Sequence, residues 1–73
     1  MSYVLAVFKS RREAIAFARA LAQRRVWHQT MTTPRSLGSS CGLSVAFSLS
    51  AYGVAESLLS AGEYYTFQGF YRR

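Results

Sequence analysis

The chain has 73 residues, of which 51% are hydrophobic, and nine Lys and Arg against three acidic residues give it a formal charge of +6. That length holds one domain, residues 1–73, and that apolar content excludes disorder. A single cysteine and a single histidine exclude an internal disulfide and a self-contained zinc site, so no cofactor or metal is expected, and association into a homodimer is the natural supplement to so small a core.

The first element is "YVLAVF" (3–8), continuously apolar and rich in β-branched and aromatic residues, which predicts a strand in mid-sheet. Ser10 and Glu13 then have the spacing of a capping box, and Ala14, Phe17, Ala18 and Leu21 follow the i, i+3, i+4, i+7 rule. They predict a helix over 11–24. "VWHQTMT" (26–32) carries polar residues on both parities and reads as an edge strand. "TPRSLGSSCG" (33–42) is a loop by composition, in which Thr33 and Pro34 are suited to open a short turn that Gly38 ends.

"LSVAFSL" (43–49) alternates Leu43, Val45, Phe47 and Leu49 with small residues and predicts a strand with one strongly buried face. A second helix is expected over 51–61, weakened by Gly53 and ended by Gly62 in the left-handed conformation. The aromatic stretch "YYTFQGFY" (64–71) predicts a last strand with a bulge at Gly69. Its five aromatic residues exceed what one face of a small monomer is expected to cover, which again favours a dimer.

The order βαββαβ predicts an α+β fold of the ferredoxin-like type: a four-stranded antiparallel sheet, spatial order 4-1-3-2, with both helices on one face. In that topology the loop carrying Cys41 lies at the same end of the sheet as the start of the first helix, near Lys9, Ser10, Arg11 and Arg12. A helix N-terminus and nearby cations favour a thiolate. Ser39, Ser40 and Gly42 add little bulk and offer hydroxyl and backbone donors to an anion. Cys41 therefore reads either as a reactive thiol or as a small inert residue at the start of the third strand. His28 is a conceivable base, but no His–Asp pairing has a meaningful spacing, so a protease arrangement has no support.

"YVLAVFKS", "TPRSLGSSCGLSVAF" and "YTFQGFY" together resemble the Putative Se/S carrier protein-like family of small bacterial proteins over nearly the whole chain. Pro34 and Arg35 followed by Ser39, Ser40, Cys41 and Gly42 are the most specific part. This chain has Gly38 where the family usually shows a third serine, and Arg25 where it commonly has a glycine. The resemblance implies a carrier that takes sulfur or selenium on Cys41 as a persulfide or selenopersulfide, with sulfur or selenium donor and acceptor proteins as partners. Arg35, Ser39, Ser40 and Gly42 are the candidate residues around the cargo.

Carrier chemistry needs a nucleophilic thiolate, stabilisation of the terminal chalcogen and access for two partners, and a small-residue loop flanked by cations meets those needs. The chain is a carrier with a reactive cysteine rather than a turnover enzyme on this reading. The alternative is a small regulatory or nucleic-acid-binding module without covalent chemistry. "CGLSVAFS" lacks the basic residue, glycine and clustered aromatics of the RNA-binding sheet, which argues against nucleic acid. The absence of an export signal and of a long apolar run leads to the expectation of a cytoplasmic protein with no membrane association.

Overall fold

The structure, a computed structural model, describes residues 3–33 and 42–72. Its elements are strand β1 (Tyr3–Phe8), helix α1 (Arg11–Gln23), strands β2 (His28–Thr32) and β3 (Leu43–Ser48), helix α2 (Tyr52–Ala61) and strand β4 (Phe67–Arg72). All three strand pairings are antiparallel, and the order across the sheet is β2-β3-β1-β4, the ferredoxin-like arrangement expected from the sequence. The two most apolar strands are central because only there are both faces withdrawn from water. Leu5 and Val7 of β1 are 1% and 2% exposed although they point away from the helices, packed with Ala46 against Tyr3, Met31 and Tyr71.

The main core lies on the other face, where Val4, Ala6, Phe8, Val45 and Phe47 meet Ala14, Phe17, Ala18 and Leu21 of α1 and Ala55 of α2. Aromatic rings fill much of it: Phe8 contacts Phe17 and Phe67, each with centroids 5.4 Å apart, and Phe47 meets Phe70 at 5.8 Å. Tilted and edge-on packing of this kind is favoured by the ring quadrupoles. The terminal aromatics thus find cover within one molecule, Tyr64, Phe67 and Phe70 in the main core and Tyr71 on the other face, and Tyr65 alone among the five is largely exposed, at 81%. The aromatic surplus that suggests a dimer in the sequence is absorbed by dividing these side chains between the two faces.

Element boundaries move for local reasons. Helix α1 ends in a Schellman motif: Val26 N–H donates to the Leu21 carbonyl and Arg25 N–H to the Ala22 carbonyl, each at 3.0 Å. This holds Arg25 at a φ of 58°, so β2 starts at His28 rather than at 26. Gly62, expected to be left-handed, is instead extended at a φ of −98°. A Cβ there would lie 2.3 Å from the Tyr64 ring, so the glycine makes room for an aromatic side chain rather than for a turn. A 3-10 turn at Leu49–Ala51, begun by the Ser48 hydroxyl accepting from Ser50 N–H, precedes α2. The bulge at Gly69 is present: its φ is 133°, and the β1–β4 register shifts between Val7 and Phe8.

Candidate functional site

Phe8 is level with Leu43 on one side and Phe67 on the other, and Leu43 is level with Thr32. The ends of β1 and β2 and the starts of β3 and β4 therefore share one end of the sheet. From Phe8 the chain passes through exposed Lys9 to Ser10, the N-cap of α1. Thr33 and Gly42, which bracket residues 34–41, lie at this same end. Of the predicted site residues, Gly42 is described; Arg35, Ser39, Ser40 and Cys41 lie outside the described residues, as does the turn expected at Pro34.

Gly42 is buried and pressed against the end of β1. A Cβ at this position would lie 2.0 Å from the Phe8 carbonyl oxygen and 3.1 Å from the Lys9 Cα, all backbone, so no larger residue fits without moving a strand. Its carbonyl accepts from the Thr33 hydroxyl at 3.1 Å, and the Thr33 and Ser44 hydroxyls are 2.8 Å apart. Thr33 has one hydroxyl proton and gives it to Gly42, so Ser44 donates to Thr33. Thr33 is 7% exposed and Ser44 fully buried, so this short relay satisfies polar groups that would otherwise be costly to bury. It ties the residue before the undescribed segment to the residue after it. In the sequence Ser44 is one of the small residues alternating with Leu43 and Val45, and a serine beside Val45 in a central strand is the only signal of its role.

A second tie holds the other flank. Glu13 Oε1 accepts from the Thr66 N–H and the Thr66 hydroxyl, both at 2.9 Å, and Oε2 accepts from Tyr65 N–H at 3.1 Å. Half of the expected capping box forms, since the Ser10 hydroxyl accepts from Glu13 N–H at 3.3 Å. The other half does not: Ser10 N–H donates to Thr66 Oγ1 at 3.0 Å, because the Glu13 carboxylate has turned to the segment before β4. Lys9 N–H also donates to the Thr66 carbonyl, at 3.0 Å. The Thr66 N–H bond, with smaller help from its hydroxyl and from Tyr65 N–H, holds the Glu13 carboxyl below its ordinary value against the opposing effect of desolvation. Burial, and then the Glu13 charge, push the Tyr64 hydroxyl up.

With the acid of the first turn so engaged, Lys9, Arg11 and Arg12 stand exposed around the start of α1. His28 belongs to the opposite end of the sheet. It pairs with Phe47, four residues along β3 from Leu43, about 13 Å at the rise of a strand. Its Nδ1 is 3.1 Å from the Val26 carbonyl, an acceptor, so that nitrogen carries the proton. The structure thus does not bring His28 to the site. No group of histidines, cysteines and acids suited to a metal ion occurs among the described residues.

Comparison with known protein families gives a match to the model described as Putative Se/S carrier protein-like, over residues 3–72. The chain belongs to this family. Neither a curated protein nor a solved structure matches it. Arg25 has a φ of 58°, in the left-handed region that glycine enters without a Cβ penalty, and occupies it at some cost. The site end of the sheet is untouched by this strain, since Arg25 follows α1 at the opposite end. No helix among the described residues is long and apolar enough to cross a membrane.

Proposed function

We propose that this member of the Se/S carrier-like family takes a sulfur or selenium atom on Cys41 and passes it to an acceptor protein. The observation that carries this reading is the seat of Gly42, the residue after Cys41, on the Phe8 carbonyl beside Lys9 at the start of α1. This end of the sheet carries exposed Lys9, Arg11 and Arg12 and the positive end of α1, and cations and a helix N-terminus both lower the pKa of a thiol brought to them. Arg35, Ser39, Ser40 and the backbone at Gly42 are the groups proposed to hold the terminal chalcogen anion, through a permanent guanidinium charge and hydroxyl or amide donors.

In the loading step the Cys41 thiolate attacks the terminal sulfur of a donor persulfide. A bond forms between Cys41 Sγ and that sulfur, the donor's S–S bond breaks, and its electron pair leaves with the donor sulfur as a thiolate. The sulfane atom moves without net oxidation or reduction, and Cys41 becomes the persulfide. Selenium follows the same path as a selenopersulfide, and delivery is the same exchange run toward an acceptor thiol. The reducing cytoplasm is the compartment in which such a free thiol persists.

The alternative of a nucleic-acid module draws no support from the face of the sheet turned away from the helices. Its centre is Leu5, Val7, Ser44 and Ala46, with Tyr3 and Tyr71 packed against it rather than standing as a platform for stacked bases. The test is intact mass spectrometry after incubation with glutathione persulfide. A gain equal to one sulfur atom, absent from Cys41→Ser, is expected; an equal gain in the serine variant, or none in the parent, overturns the reading. Arg35→Gln is expected to load more slowly at unchanged stability.

A further inference from the structure

We infer that the outer face of α1 is a docking surface for an acidic protein partner. The inner face of this helix is spent in the core, through Ala14, Phe17, Ala18 and Leu21. On the opposite face Arg12, Ile15, Ala16, Arg19, Ala20 and Gln23 line a shallow hollow. Ile15 stands 45% exposed at its middle, an apolar side chain set between two arginines. Ala16 and Ala20 keep the floor low, so that a partner's side chain can reach the helix. Arg12 and Arg19, seven residues apart, are separated by roughly 10 Å along the axis and flank Ile15.

The charge on this face is uncancelled. Glu13 is the only acid in α1, and its carboxylate is bonded to Thr66 and Tyr65. An apolar anchor between arginines is the composition of a protein-binding hot spot. A phosphate backbone would use the arginines but gain nothing from Ile15. A membrane surface needs a broad exposed apolar face, and that face of α1 is already buried. A second copy docked through the same face would set Arg12 and Arg19 against their own counterparts, like charge against like. The complementary occupant is a protein surface with carboxylates opposite Arg12 and Arg19 and an apolar side chain seated on Ile15. In the carrier reading that occupant is the donor or the acceptor, but the surface does not depend on the sulfur chemistry.

The test places p-benzoylphenylalanine at Ala16 in the full chain, irradiates it in its own host, and identifies the cross-linked peptide by mass spectrometry. The expected adduct is a protein with Asp or Glu beside the cross-link. With that protein purified, Ile15→Asp and the double Arg12→Glu, Arg19→Glu variant are each expected to bind about tenfold more weakly or worse, with affinity falling as salt rises. Arg72→Glu, on β4, is expected to bind within about twofold of the parent. An adduct with nucleic acid or with a second copy of the chain, no adduct, or a partner indifferent to the charge reversals overturns the proposal. Cys41→Ser is expected to give the same adduct. A chain that fails to load sulfur yet cross-links normally therefore sinks the carrier reading alone, and one that loads but does not cross-link sinks the docking surface alone.

Discussion

Adding one methyl group at Gly42 and at Gly53 is expected to change stability in opposite directions. At Gly42 the new Cβ would lie 2.0 Å from the Phe8 carbonyl oxygen, 3.0 Å from its carbon and 3.1 Å from the Lys9 Cα. A relaxed C···O contact is about 3.3 Å or more, so roughly 1 Å of relief is needed. None of the opposing atoms is a flexible side chain. Phe8 is held by β3 and β4 on its two sides, and Lys9 N–H is bonded to Thr66, so the start of β3 must move instead. That displacement costs about 1–3 kcal/mol as overpacking and about 1 kcal/mol for the strained Thr33 bond to the Gly42 carbonyl, together about 2–4 kcal/mol. A domain of this size is stable by roughly 4–11 kcal/mol, so the loss is a large fraction of the whole. At Gly53, in the first turn of α2, nothing lies within 4 Å of the added Cβ. Removing the glycine's extra freedom in the unfolded chain there should stabilise by about 0.5 kcal/mol. Urea unfolding followed by circular dichroism measures both, with the slope of the transition unchanged. Parent-like stability of Gly42→Ala, or a loss in Gly53→Ala as large as that in Gly42→Ala, would refute the geometry of the site end.

Arg25→Gly removes a left-handed Cβ penalty of about 1–2 kcal/mol and adds about 0.5–1 kcal/mol of unfolded-state entropy, for a net gain of about 0.5–1 kcal/mol and a melting temperature several degrees higher; a lower melting temperature contradicts it. Glu13 has a folded pKa below its ordinary 4.5, so the unfolded chain binds more protons in that window and stability rises with pH there. The contribution is complete above pH 4.5 and is lost as pH falls from 4.5 through the depressed folded value; Glu13→Gln should therefore be less stable than the parent at neutral pH and converge on it in acid. A gap that persists unchanged in acid excludes this linkage. Thr33→Val removes the hydroxyl that donates to the Gly42 carbonyl and faces the buried Ser44 hydroxyl, and is expected to cost about 1–3 kcal/mol, part of which Ser44→Ala recovers in the double variant; strictly additive losses would show that the hydroxyls are not coupled.

Element order and sheet topology were legible because burial is written into the composition of each strand. "YVLAVF" and "LSVAFS" have no charge and can only be central, whereas "HQTMT" carries polar groups toward both faces and suits the edge. What the sequence did not disclose are bonds between residues far apart in the chain. Glu13 reads as the partner of Ser10, three residues away, until β4 brings Thr66 near; three donors from residues 65 and 66 then outcompete one local amide. The same bonds delay the start of β4 to Phe67, because the Tyr65 and Thr66 amides are committed to a carboxylate. Gly62 and Arg25 exchange their expected roles for a related reason. A glycine after a helix suggests a left-handed cap, but here the space it frees is taken by the Tyr64 ring, while the real left-handed cap falls on an arginine.

The candidate site was legible in topology and only partly in its residues, and Gly42 shows where the two separate. In the sequence it belongs with Ser39, Ser40 and Cys41 as one small-residue loop suited to an anion. In the fold it has a sufficient steric cause of its own, the Phe8 carbonyl, which would demand glycine whatever chemistry took place next to it. Cys41, Ser39 and Ser40 lie outside the described residues, and chemistry is the explanation proposed for those three. This division fixes how variants must be read. A slower loading rate in Gly42→Ala follows from a displaced strand and says nothing about anion binding. A slower rate in Ser39→Ala or Ser40→Ala, in a chain with the parent's unfolding curve, can arise only from the transfer step or from approach of the donor. Repeating the measurement with a small persulfide, which needs no docking, assigns the defect to the transfer step if it persists and to donor approach if it disappears.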